Sequence, residues 1–187
     1  IGQGESISTY ANILNGVVKL SKMMSDGRQQ IVGLQFAPDF LGRPFVGESN
    51  TTVEAATDVN ICIFPRNVVD RILNQSPQME HKLYDQSLKE LDEARDWMLT
   101  LGRKTAQEKV ASFLYLIATH IDPESVDMSA FDLPLSRADI ADFLGLTIET
   151  VSRQFTKLRK ENVIRIENNR HVIVPDMDRL MRYASAD

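Results

Sequence analysis

One cysteine in 187 residues, Cys62, is too few for a metal cluster held by four thiolates. No apolar run approaches membrane-spanning length and no signal peptide is visible, so no membrane partner and a cytoplasmic location are expected. The three histidines, His81, His120 and His171, lie far apart and form no His-Glu-x-x-His pair. Each reads as a surface or interface residue. There is no Walker loop and no Gly-x-Ser-x-Gly elbow, so an enzyme is not expected. Internal repeats and low-complexity tracts are also missing. Positive charge is scarce overall: 21 Lys and Arg stand against 26 Asp and Glu, a net charge of −5, so the molecule has no general attraction for phosphate.

The basic residues that exist are concentrated. From Arg153 to Arg170 there are six, at 153, 157, 159, 160, 165 and 170, against Glu161 and Glu167. This patch can release counterions from DNA while the acidic remainder limits nonspecific adhesion. It continues the most informative stretch, residues 136–162, SRADIADFLGLTIETVSRQFTKLRKEN. Ser136 with Asp139 three residues on predicts a helix start, Ile140, Phe143 and Leu144 recur at helical spacing, and Gly145 predicts its end. Thr147 is expected to cap a second helix whose Ile148, Val151, Phe155 and Leu158 make a buried stripe. Glu149, Ser152, Arg153 and Thr156 then project together from the exposed side.

A helix-turn-helix sets the start of its second helix against base edges in the major groove. Arg suits guanine, Glu the cytosine amino group, and Ser several bases. Glu149, Ser152 and Arg153 are therefore the candidate base contacts, with Thr147, Lys157, Arg159, Lys160 and Arg170 as candidate backbone contacts. An ordinary polar helix face is the alternative. The following segments, Val163–Ile166 and His171–Val174, alternate around Glu167-Asn168-Asn169-Arg170 and predict a hairpin where a winged helix carries its wing. That favours binding to double-stranded DNA.

The chain is long enough for two small domains. Residues 1–75 are read as an antiparallel β-roll, with hairpins at Asn15-Gly16 and Asp26-Gly27. Val18 and Leu20, then Val32, Leu34 and Phe36, then Val59, Ile61 and Ile63 are expected to alternate into its own core. Residues 76–101 run as one helix from Ser76-Pro77, with Tyr84, Leu88, Leu91 and Met98 on a 3.5-residue repeat and Arg95 at the polar seam position. A helix crossing its own domain core is one reading. A homodimer interface is the other, and a two-fold DNA site favours it. Residues 103–187 are read as the DNA-binding domain. Thr105-Ala-Gln-Glu108 is a capping box opening a scaffold helix with Val110, Phe113, Leu114 and Ile117. Pro123–Pro134 is expected to be a loop with a short strand, and Asp176 to cap a last helix carrying Leu180 and Met181. The fold class is thus α+β. The chain opens on Ile1 within a strand-like pattern and is read as missing its N-terminus.

Roll, long helix and winged helix in this order resemble the CRP/FNR family of bacterial transcription regulators. ILNGVVKL, DGRQQ, PDFLG, LGRKTAQEKVASFLY and LGLTIETVSRQ look like the FNR branch over the whole chain. That branch carries Glu, two residues, then Ser-Arg, here Glu149, Ser152 and Arg153; Ile148 stands where the CRP branch has Arg. The resemblance implies a palindrome with half-sites like TTGAT. It also implies contact of RNA polymerase with the turn Asp26, Gly27 and Arg28, an ordinary solvated turn being the alternative. The cyclic-nucleotide pattern is not met: Leu41-Gly42-Arg43-Pro44 replaces the ribose segment, and Asn50–Ala55 has no Arg and carries Glu54. No cyclic nucleotide is expected.

By chemistry alone Cys62 is a small buried hydrophobe on the strand face shared with Asn60 and Phe64. In oxygen-sensing FNR proteins a cysteine in this strand joins three from an N-terminal segment to ligate a [4Fe–4S] cluster. The resemblance implies that role for Cys62 in the full-length protein only. A cluster-free FixK-like regulator, or a dimeric ligand-binding module without DNA contact, are the other readings.

Overall fold

The computed structural model describes residues 1–121 and 128–185. They fall into two compact units, Ile1–Asp96 and Trp97–Asp187. In the first, strands β1 (Thr9–Asn15), β4 (Phe40–Leu41) and β6 (Asn60–Pro65) form one antiparallel sheet in the order β4-β1-β6. Strands β2 (Val17–Met23), β3 (Gln29–Phe36) and β5 (Thr52–Ala55) form the other, in the order β3-β2-β5. Helix α1 (Arg66–Gln75) follows.

Asp26-Gly27 does close a hairpin, with β2 paired to β3 and Gly27 at φ +84°. Asn15-Gly16 does not. There β1 leaves for β4 and β6, and β2 leaves for β3 and β5, so the turn is a corner between sheets. Gly16 sits at φ +95°, and a Cβ on it would collide with the backbone carbonyl of Asp58. The alternation in β3 is also interrupted. Leu20 pairs with Gly33 but Ser21 pairs with Ile31, leaving Val32 as the extra residue of a bulge. The phase therefore inverts: Ile31 is buried and Val32 is exposed. Ile61 and Ile63 are not satisfied by the roll's own core either. They are 43% and 59% exposed and line a cavity of about 590 Å³ together with Val18, Leu20, Leu41 and Val53. The core proper holds Tyr10, Ile13, Val17, Val18, Ile31 and Phe36. The Tyr10 hydroxyl donates to Asp70 Oδ1 at 3.0 Å, and Asp70 in turn accepts from Arg66 Nε at 3.2 Å, which docks α1 on β1.

Helix α2 runs Pro77–Arg103, and the division between units falls within it. From Trp97 onward it belongs with the second unit, because the indole packs on Phe143 with centroids 4.6 Å apart. That unit continues with α3 (Ala106–Ile121), β7 (Ser129–Asp132), α4 (Arg137–Leu144), α5 (Ile148–Lys160), β8 (Arg165–Glu167), β9 (His171–Val174) and α6 (Met177–Ser185). The Thr105–Glu108 capping box forms, with Thr105 N–H donating to Glu108 Oε2 at 2.8 Å. Val110, Phe113, Leu114 and Ile117 of α3 are all fully buried. Of the expected 123–134 loop, residues 122–127 lie outside the described residues; its short strand is β7. Asp176 Oδ1 accepts from Arg179 N–H at 2.7 Å, capping α6, in which Leu180 is buried and Met181 exposed.

Gly16→Ala should lower the stability of the first unit by about 1–3 kcal/mol, since Ala tolerates neither the positive φ nor the contact. Urea unfolding followed by circular dichroism should show an earlier β-rich transition. The fluorescence of Trp97, which reports the second unit, should keep its midpoint.

Candidate nucleic-acid interface

The first helix of the pair, α4, is fixed at both ends by local chemistry. Ser136 Oγ accepts from Asp139 N–H at 3.1 Å, and Asp139 Oδ2 accepts from Ser136 N–H at 3.3 Å, a complete capping box. Gly145 ends it at φ +61°. Two residues later Thr147 starts α5, its Oγ1 accepting from Thr150 N–H at 3.2 Å.

Val151, Phe155 and Leu158 are buried as expected, but Ile148 is 48% exposed. It is the first helical residue, and its exposure leaves the stripe one member short. A contact that the sequence pattern did not disclose closes the seam. The Arg137 guanidinium lies 3.5 Å over the ring centroid of Phe155, and its desolvation there lowers the Arg137 pKa from its ordinary value. Only its place in the first turn of α4, facing an aromatic stripe, signals this contact in the sequence.

With one side locked, the other carries Glu149, Ser152, Arg153, Thr156, Lys157 and Lys160, five of which (all but Glu149) line a shallow concavity of about 460 Å³. Arg159 is exposed on a flank of the same helix. The Glu149 carboxyl is held below the usual carboxylate range. Its own backbone N–H at the helix start contributes most, then the Thr147 side chain and the charge of Arg153. At neutral pH Glu149 is therefore ionised, an acceptor without a proton to donate. Arg153 Nη2 donates to Thr150 Oγ1 at 3.0 Å. Lys157 Nζ bonds Gln107 Oε1 of α3.

Strands β8 and β9 form the expected hairpin, with β7 added in the order β7-β9-β8. Asn168 and Asn169 both take positive φ, 50° and 59°, within the three-residue turn 168–170 that joins the paired residues Glu167 and His171. Arg170 Nε donates to the Leu133 carbonyl at 3.1 Å, which ties the hairpin turn to the segment after β7. His171 Nδ1 lies 2.8 Å from Asp132 Oδ1.

The remaining candidates lie in the other unit or along α2. Asp26, Gly27 and Arg28 form the exposed β2–β3 tip, where Arg28 Nε donates to Asp26 Oδ2 at 2.8 Å. Cys62 is exposed opposite Asn12 on β6, not a buried packing residue. Among the described residues no group of three or more His, Cys, Asp or Glu is placed to hold a metal ion, and no helix is long and apolar enough to cross a membrane. In the roll cavity Arg43 and Glu54 are both wall residues, and Glu54 lies 3.8 Å from Lys19. Glu90 also lines it, and burial, above all, pushes its carboxyl upward. On α2, Tyr84, Leu88, Leu91 and Met98 are 42–73% exposed among the described residues.

Residues 108–183 match the Crp-like helix-turn-helix domain family, and residues 1–76 match the cyclic nucleotide-binding domain family. A probable transcriptional activator from Rhizobium leguminosarum bv. viciae is 68% identical over 100% of the chain and 78% of its own length. The transcriptional activator protein FnrL of Cereibacter sphaeroides is 44% identical over 100% of the chain and 77% of its own length. Among solved structures, FixK2 from Bradyrhizobium japonicum superposes with a TM-score of 0.88 at 33% identity, covering 100% of this chain and 92% of that one.

The lowered Glu149 carboxyl has a consequence for stability. A group whose folded-state pKa is depressed stabilises the fold above its unfolded value, near 4.5, and loses that contribution as pH falls through the folded value. Glu149→Gln should therefore be less stable than the parent at pH 7. The two should converge as pH is lowered below 4.5 toward the folded value, measured by urea unfolding of the Trp97 signal.

Proposed function

The chain belongs to the CRP/FNR family of transcription regulators, and from that membership we infer an FNR/FixK-type transcriptional activator that binds double-stranded DNA as a homodimer, at a palindrome with TTGAT-like half-sites. The observation that carries this is the exposed face of α5. In a protein of net charge −5, this face gathers Arg153, Lys157 and Lys160 around an ionised Glu149, with a wing hairpin following it. Glu149, Ser152 and Arg153 read base edges in this proposal. Thr147, Lys157, Arg159, Lys160 and Arg170 hold the phosphates. Lys157 must exchange Gln107 for a phosphate oxygen on binding.

The exposed stripe Tyr84, Leu88, Leu91 and Met98 supports a partner helix from a second copy, because a stable monomer seldom leaves so much contiguous apolar surface in water. The Asp26–Arg28 tip is the proposed polymerase contact, supported by its exposure.

For the signal, two readings divide on one observation. A [4Fe–4S] cluster needs four thiolates, and the residues present here offer only Cys62, so this chain by itself does not fit such a group. The cluster reading holds only for a longer protein with three further cysteines, in which the exposed Cys62 is the fourth ligand. The cluster-free, FixK-like reading needs nothing beyond what is here, and no cyclic nucleotide is invoked in either. Iron and sulfide analysis of anaerobically purified full-length protein separates them. Four iron per subunit, lost with Cys62→Ser, supports the cluster; no iron supports the cluster-free regulator.

Arg153→Ala should cost about 1–3 kcal/mol at the palindrome and relax discrimination at one base pair per half-site. Lys157→Ala should weaken binding to every sequence and flatten the salt dependence. Fluorescence anisotropy on specific and random duplexes reads both; equal losses for Arg153→Ala would refute its base-reading role.

Leu91→Glu places a charge in the proposed dimer seam and should yield a monomer that no longer binds the palindrome. Sedimentation showing an intact dimer would mean that α2 is not the interface.

A further inference from the structure

The start of α5 contains a chain of side-chain bonds centred on Thr150, a residue that the assignment of base and phosphate contacts does not use. Thr147 Oγ1 accepts the Thr150 N–H at 3.2 Å and donates its own hydroxyl proton to Thr150 Oγ1 at 3.1 Å. Thr150 Oγ1 also accepts from Arg153 Nη2 at 3.0 Å. A hydroxyl oxygen has two lone pairs, so Thr150 is saturated as an acceptor by Thr147 on one side and Arg153 on the other. We propose that Thr150 is a positioning residue for sequence discrimination, its hydroxyl oxygen holding the Arg153 guanidinium in its reading conformation before DNA arrives.

The inference rests on the base-reading role of Arg153 proposed above. An arginine on an exposed helix face has many rotamers, and ordering them on contact opposes binding. Thr150 reduces that cost in advance. Being β-branched, it has restricted χ1 freedom in a helix, so its oxygen is a fixed acceptor, fixed further by the Thr147 hydroxyl. The bond takes one of the five guanidinium N–H groups, which leaves enough for a bidentate pair with guanine O6 and N7. Glu149 stands beside the same cap, and the charge of Arg153 helps to keep it ionised. The N-cap threonine is thus connected to Arg153 through Thr150.

The competing role for Thr150 is a direct hydroxyl-to-phosphate bond, which would serve all sequences alike. Anisotropy titrations at fixed salt distinguish the two, using the palindrome, palindromes altered at the base pair Arg153 reads, and random duplex. The proteins are the parent, Thr150→Val, Thr150→Ser, Arg153→Ala and the Thr150→Val/Arg153→Ala pair. Thr150→Val keeps the shape and the backbone N–H that Thr147 caps. It should lower the ratio of specific to random affinity roughly three- to tenfold with random binding unchanged. Thr150→Ser, which keeps the oxygen, should recover most of the ratio. In the Arg153→Ala background Thr150→Val should remove nothing further. Should Thr150→Val fold poorly, Thr150→Ala carries the same comparison. In the free protein, 15N relaxation of Arg153 Nε should show a more mobile side chain in Thr150→Val than in the parent. Equal loss on all duplexes, or a Thr150→Val effect that persists without Arg153, overturns the positioning role alone. An Arg153→Ala protein with undiminished discrimination overturns the base-reading assignment, and this proposal with it.

Discussion

Everything the α5 face can do depends on its opposite side being immobile. Val151, Phe155 and Leu158 are buried, and Arg137 of α4 closes over Phe155 from outside. A helix of 13 residues held only by its own hydrogen bonds is marginal in water. Tertiary burial of one stripe is what fixes its rotation about its axis. Fixing the rotation decides which residues point outward together. A different phase would bury Arg153 or Glu149 unpaired at a cost of several kcal/mol, so the apolar stripe defines the polar one. The scaffold repeats the logic one layer deeper: Phe143 of α4 is wedged between Phe113 of α3 and Trp97 of α2.

Charge is organised on the same principle of segregation. The chain as a whole is acidic, yet the segment from Arg153 to Arg170 carries six basic residues against two acidic ones. Long-range attraction to phosphate is thus weak outside one patch, and a duplex approaching in any other orientation meets net repulsion. Glu149 within the basic patch fits base reading better than simple phosphate binding. An ionised carboxylate is repelled by the DNA backbone and is compensated only where it accepts from a base amino group.

What the sequence disclosed, and what it did not, divides by the range of the interaction involved. Ser136 with Asp139, Thr105 with Glu108, Gly145, Thr147 and the Asn168-Asn169 turn were all legible, because each is settled within four residues by capping or positive φ. Asn15-Gly16 has the chemistry of a hairpin turn, but whether flanking strands pair with each other depends on partners as remote as Pro65 for Thr9. The bulge at Val32 is likewise set by its partner strand β2 and inverted the phase read from β3 alone. Ile61 and Ile63 obey strand alternation and still fail to find a core, since periodicity reports which face is shared and not what lies opposite. Ile148 shows the same limit in a helix: its spacing fits the stripe, yet it is exposed. Of the candidate site, the outward grouping on α5 was legible from spacing. The bonds of Arg153 to Thr150 and of Lys157 to Gln107 depend on rotamers and on a second helix, which spacing does not carry.

The need for a second copy in the proposed regulator follows from the energetics of discrimination. A good base-edge contact separates right from wrong bases by about 1–3 kcal/mol. Specific regulators separate their site from random DNA by about 4–10 kcal/mol. The three reading side chains proposed on one α5 would supply about 3–9 kcal/mol before the costs of ordering them, so one half-site falls short of the upper part of that range. Two copies on a palindrome add their contributions, so the ratio achieved by one half-site is squared. That gain is realised only if the two copies are held together strongly enough that the second half-site is bound at no further cost in free translation. In the proposed dimer, Tyr84, Leu88, Leu91 and Met98, exposed along a helix of 27 residues, would supply the apolar seam, and the small number of base contacts proposed on α5 is what makes a second copy necessary.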